Sequence, residues 1–114
     1  MKTIPFRACV IAANLVLTGV GLVAAADAAG PPDAVQVTIK NFDFHPMAVT
    51  VPIGGSVTWK NLDGEPHTVT STDGSFRSQA LDEDDSYTVK FAKPGVYSYL
   101  CTIHPRMRAR VTVK

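Results

Sequence analysis

The chain has 114 residues, with eleven Lys and Arg set against ten Asp and Glu, three His, and 46% hydrophobic residues. That charge balance offers no basic footprint for nucleic acid or for an anionic membrane surface. Three histidines are also too few for an enzyme built on several His-x-His copper pairs.

Lys2 and Arg7 form a positive n-region, Ala8 to Ala26 is uncharged and mostly apolar, and small residues crowd its end. This is the pattern of a cleaved secretory signal, so residues 1–26 are assigned as a signal peptide and the mature protein is expected in the periplasm, with no membrane insertion after cleavage. Both Ala24-Ala25-Ala26 and Ala26-Asp27-Ala28 satisfy the small-x-small rule, which leaves cleavage after Ala26 or after Ala28. Cleavage after Ala26 leaves 88 residues and removes Lys2 and Arg7, so nine cationic side chains face ten acidic ones. Cys9 leaves with the signal, and Cys101 is then alone. A single cysteine in an exported chain cannot form an internal disulfide and points to a ligating or reactive thiol.

Residues 27–34, with Gly30-Pro31-Pro32, are read as a linker, and 35–114 as one domain with a periodicity of two. Val35, Val37 and Ile39 alternate with Gln36, Thr38 and Lys40; Ala48 to Val51 and Val57 to Trp59 follow the same rule, as do Tyr87, Val89 and Phe91. Such alternation is the mark of half-buried strands. Turn dipeptides fall at Gly54-Gly55, Asp63-Gly64, Asp73-Gly74 and Pro94-Gly95, and no stretch between them holds a helical period. Seven or eight short strands at this spacing predict an all-β antiparallel β-sandwich. Trp59 and the Phe and Tyr residues are assigned to its core. His45 and Met47 are read as surface or packing residues, and Asp82-Glu83-Asp84-Asp85 as a solvated turn.

Near the C-terminus, Cys101-Thr102-Ile103-His104-Pro105-Arg106-Met107 places a thiol, an imidazole and a thioether on one short loop. Tyr97, Tyr99 and Cys101 share one strand parity, and Met107, Ala109, Val111 and Val113 share another, so both ends of the loop start on the buried face. A His2Cys set with a weak axial Met is the ligand set of a blue-copper electron-transfer centre. The second His is expected from Gly64-Glu65-Pro66-His67-Thr68-Val69. His67, Cys101, His104 and Met107 are therefore the candidate ligands of one copper ion. Soft sulfur ligands favour Cu(I) while imidazoles suit both oxidation states, which is why this mixture serves a one-electron couple. Zinc also accepts Cys and His, but Cu(II) stands above it in affinity and a thioether adds little for zinc. Pro66 and Pro105 restrict the backbone beside the ligands.

With these residues the chain resembles the cupredoxins, and within them the amicyanin-like and plastocyanin-like group. The match lies in the Cys-x2-His-x2-Met loop, with Val57-Thr58-Trp59, Pro66-His67, Phe91 with Pro94-Gly95-Val96-Tyr97, and Arg108 to Val113 as the closing strand. The resemblance implies an eight-stranded Greek-key sandwich with copper near one end, His67 as the buried upstream ligand and His104 as the ligand at the surface through which electrons pass. It also implies a small carrier, not an enzyme, that exchanges electrons with redox proteins such as a c-type cytochrome or a periplasmic dehydrogenase; a monomer is expected. The chain departs from the group's habit at Arg106, where an aromatic residue usually precedes the Met, at Ile103, where a proline usually precedes the His, and at Glu65, where an apolar residue usually precedes the Pro-His pair.

Arg106, Arg108 and Arg110 form one face of the closing strand, explained either as an edge-strand guard against aggregation or, for Arg106 beside His104, as a steering charge for an acidic partner. Copper delivery or buffering in the periplasm is the competing function, separated from electron carriage by whether the ion itself moves.

Overall fold

The computed structural model describes Gly19 and residues 33–114. Apart from Gly19, the segment read as a signal peptide, with most of that read as a linker, lies outside the described residues. Eight strands follow in chain order: β1 (Ala34–Lys40), β2 (Asp43–His45), β3 (Ala48–Val51), β4 (Ser56–Asn61), β5 (Thr70–Ser71), β6 (Ser86–Lys90), β7 (Gly95–Leu100) and β8 (Arg108–Val113). They form two four-stranded sheets, ordered β2-β1-β4-β6 and β3-β8-β7-β5. This is the expected all-β sandwich.

Alternation fixes which way each strand faces. Val37 and Ile39 of β1, Val57 and Trp59 of β4, Val49 and Val51 of β3, Tyr99 of β7, and Val111 and Val113 of β8 all fall on the buried side. Residues between them, such as Lys40, Thr50, Ser98 and Arg110, remain exposed. Trp59 lies at the centre, edge-on to Tyr99 at 5.3 Å between ring centroids, and Phe44 meets Tyr99 at 4.8 Å. Rings arranged edge to face in this way add a specific attraction to the burial of their area.

Not every pairing is antiparallel. β1 runs parallel to β4, with Val37 opposite Trp59, and β3 runs parallel to β8, with Val49 opposite Val111. The chain leaves the first sheet after β2, supplies β3 to the second, and returns as β4. A parallel pair needs such a crossover between its members, whereas the other four pairings are antiparallel.

The β3–β4 turn shows why two glycines stand together: Gly54 has φ of +86°, and a Cβ on Gly55 would sit 2.7 Å from the Asp33 carbonyl oxygen. Glycine takes the first without steric cost, and only a residue without a Cβ fits the second.

Two expectations are corrected. β8 lies between β3 and β7, so its arginine face belongs to an interior strand and does not guard an edge. Phe42 is not in the core: it occupies the two-residue β1–β2 turn and is 50% exposed, whereas Phe44, Phe76 and Phe91 are buried. The turn breaks the parity from which its burial was inferred. His45 is exposed, Met47 is exposed too, and Asp82 to Asp85 are solvated as expected.

Candidate metal centre

Two segments meet at one end of the sandwich. β4 ends in Asn61, which keeps the inward parity of Val57 and Trp59 but is polar and fully buried. Its side-chain amide donates to the carbonyls of Glu65 and Leu81, both at 2.8 Å, and its oxygen accepts the Asp63 N–H at 2.9 Å. These bonds satisfy a buried amide whose desolvation would otherwise be costly, and they fold the segment that carries His67. The backbone of His67 then pairs both ways with Leu81, at 3.1 Å and 2.7 Å. That pairing fixes where the ring enters.

The second segment is the loop between β7 and β8. Its two ends are tied by the Cys101 N–H donating to the Met107 carbonyl at 3.1 Å, and the Met107 N–H donates to the His104 carbonyl at 2.9 Å. Cys101 is fully buried, Met107 is buried and His104 is half-buried. The inward parity of Tyr99, Cys101, Met107 and Val111 on the two flanking strands thus survives across the loop.

These segments bring three of the four expected side chains, His67, Cys101 and His104, together. Cys101 Sγ lies 3.7 Å from His67 Nδ1 and 3.9 Å from His104 Nδ1. All three donor atoms fall within 4.8 Å of one another. A nitrogen at roughly 2.0 Å and a sulfur at roughly 2.3 Å from a common ion, separated by a trigonal angle of about 120°, would stand about 3.7 Å apart. The donor set therefore fits one ion, and its soft thiol with two imidazoles is of the kind that copper takes.

The surroundings tune each donor. The Thr68 N–H points at Cys101 Sγ at 3.4 Å, and the Thr68 hydroxyl is held by Thr102, whose N–H donates to it at 2.8 Å. A backbone donor aimed at the sulfur stabilises its negative charge. His67 is fully buried and its Nε2 pairs with Asp63 Oδ2 at 2.9 Å. That bond places the proton on Nε2 and leaves the Nδ1 lone pair facing Cys101.

Asp63 also accepts the N–H groups of Asn41 at 2.8 Å and Phe42 at 2.9 Å. Partial burial pushes its carboxyl up, but the Phe42 and Asn41 N–H groups and His67 outweigh this and hold it below the usual carboxylate range. Sequence reasoning missed Asn61, Asp63, Thr68 and Phe42. Only Asn61 carried a signal, as a polar residue in an apolar register.

A family model described as a cupredoxin-like domain matches residues 10–113. The amicyanin of Paracoccus versutus is 38% identical over 97 residues, which cover 81% of this chain and 72% of that protein. Among solved structures, the Cu(I) form of a point mutant of amicyanin superposes with a TM-score of 0.68 at 28% identity, covering 75% of this chain and 86% of that one. The copper-containing nitrite reductase of Thermus scotoductus SA-01 gives the same TM-score of 0.68 at 28% identity, again over 75% of this chain, which spans only 23% of that enzyme.

Proposed function

The chain belongs to the cupredoxin-like family, and on that premise we propose that it is a periplasmic type 1 copper protein that carries single electrons between redox proteins. In this reading His67, Cys101, His104 and Met107 would hold one copper ion, with residues 1–26 exporting the chain and 35–114 forming the copper domain. The bound ion supplies the one-electron couple. The protein's own residues do the rest. The observation that carries the proposal is the placing of the Cys101 thiol 3.7 Å and 3.9 Å from two imidazole nitrogens of separate segments.

Each donor is prepared before an ion arrives. Asp63 orients His67, the Thr68 N–H supports the thiolate, and the hydrogen-bonded ends of the loop hold Cys101 and Met107 at a set separation. Donors so fixed rearrange little when the charge at the site changes, and that favours rapid electron exchange. Half-buried His104 is the outlet, flanked by Ile103, which is 47% exposed. The three donor atoms lie within 4.8 Å of one another, a separation that suits one ion, and a thiol with two imidazoles supports a one-electron couple and hence electron carriage.

Voltammetry of the copper-loaded mature protein, run beside a measurement of electron self-exchange, tests the proposal. A reversible one-electron wave with the ion retained in excess chelator is expected. Release of the ion on reduction, and its capture by an acceptor before electrons are exchanged, would favour copper delivery or buffering.

A further inference from the structure

Phe42 occupies a position that its residue type resists. Asn41 and Phe42 are the whole turn between Lys40 and Asp43, with φ of +54° and +58°. Two consecutive positive φ angles make this a primed hairpin turn, where Asn-Gly is the favoured pair. A phenylalanine there crowds its Cβ against the backbone. Strain of this kind persists only where neighbours over-determine it. Here the Asp63 carboxylate binds both turn N–H groups, and the oxygen that takes the Phe42 N–H also takes His67 Nε2.

Nor does the ring serve the core, since half of it faces solvent. Its aromatic contacts are the two imidazoles: centroid distances are 5.4 Å to His67 and 5.1 Å to His104, with interplanar angles of 86° and 83°. The imidazoles are themselves 5.0 Å apart and tilted by 55°. One ring from a turn of the first sheet thus touches a side chain that follows β4 and another from the loop of the second sheet.

Resting on the copper reading above, we propose that Phe42 is a positioning residue of the metal centre, holding the His67 and His104 rings at their mutual angle and shutting small anions out from the side of the β1–β2 turn. The strained backbone presents the ring there, and Asp63 couples that turn to the ligand it covers. Glycine would suit the backbone better and would leave the imidazoles uncovered. Backbone comfort and site closure therefore pull in opposite directions at this one position.

The test uses copper-loaded protein with Phe42→Gly, Phe42→Ala and Phe42→Leu. Without copper, the glycine variant unfolds at no lower urea concentration than the alanine variant, because only glycine accepts φ of +58° freely. With copper, the glycine and alanine variants show an altered Cu(II) visible and EPR spectrum, respond to added azide, and lose the ion to EDTA at least tenfold faster than the parent. Phe42→Leu, which keeps an apolar cover, stays closer to the parent on all three readouts. A glycine variant with the parent's spectrum, no azide response and an EDTA rate within twofold of the parent overturns the inference alone. A parent protein without thiolate-to-copper colour overturns the copper reading, and this inference with it.

Discussion

Replacing Asp63 with alanine probes the link between the turn and the site more directly than any ligand change, because the Asp63 carboxylate lies outside the donor set and yet accepts three hydrogen bonds. The Asn41 and Phe42 N–H groups are near solvent and can rehydrate, so each lost bond costs about 0.5–1.5 kcal/mol. His67 is 0% exposed, and its Nε2–H is left with no acceptor, a desolvated donor worth about 1–3 kcal/mol. Asp63→Ala therefore destabilises the copper-free protein by about 2–6 kcal/mol, a large share of the stability of so small a domain. Urea unfolding of the copper-free protein at pH 7, followed by the fluorescence of the single Trp59, gives the value. Because Asp63 also fixes the proton on Nε2, the same change weakens copper binding by roughly 10–100-fold in a competition titration. A copper-free variant within about 0.5 kcal/mol of the parent would refute the reasoning, since the three bonds would then be exchanged for water at no cost.

Two other changes test separate parts of the structure. Burial pushes the Tyr99 hydroxyl up from 10.0 to about 12, while the Trp59 indole N–H, pulling the other way, approaches it without completing a hydrogen bond. The folded form thus keeps its proton longer than the unfolded one, so stability is undiminished by this group below pH 10 and falls as pH rises toward about 12. That alkaline loss is on the order of 3 kcal/mol at about 1.36 kcal/mol per pH unit; Tyr99→Phe should lack it in denaturant titrations and match the parent within about 1 kcal/mol at pH 7, because it deletes a hydroxyl with no partner. Arg106, exposed two residues beyond His104, is expected to steer acidic redox partners. Arg106→Ala should slow electron transfer to an acidic c-type cytochrome several-fold at low ionic strength and flatten its salt dependence, with no change at high salt; an unchanged salt slope would dismiss the steering role.

Much of the scaffold was legible because burial imposes a period of two on its longer strands. The parity of Tyr99, Cys101, Met107 and Val111 set both ends of the ligand loop inward, as the structure bears out. β2 and β5, of three and two residues, are too short to show alternation. Which strands run parallel depends on where the chain crosses between sheets, and local pattern is silent on that. The thiol and the His104 imidazole were readable because they share one short loop, and His67 because that loop's chemistry calls for a second imidazole. Asp63 and Phe42 were not, since an acid in an Asp-Gly turn and an aromatic near a strand each have a commoner explanation. Their roles arise from contacts between segments that only folding brings together.

The account rests on His67, Cys101 and His104 holding one copper ion through the Cys101 sulfur. The visible absorption of the mature protein loaded with Cu(II), recorded beside Cys101→Ser, measures this most directly. An intense thiolate-to-copper band that the serine variant lacks is the predicted result; a weak band typical of nitrogen and oxygen ligands alone, or an intense one that survives in Cys101→Ser, would contradict it.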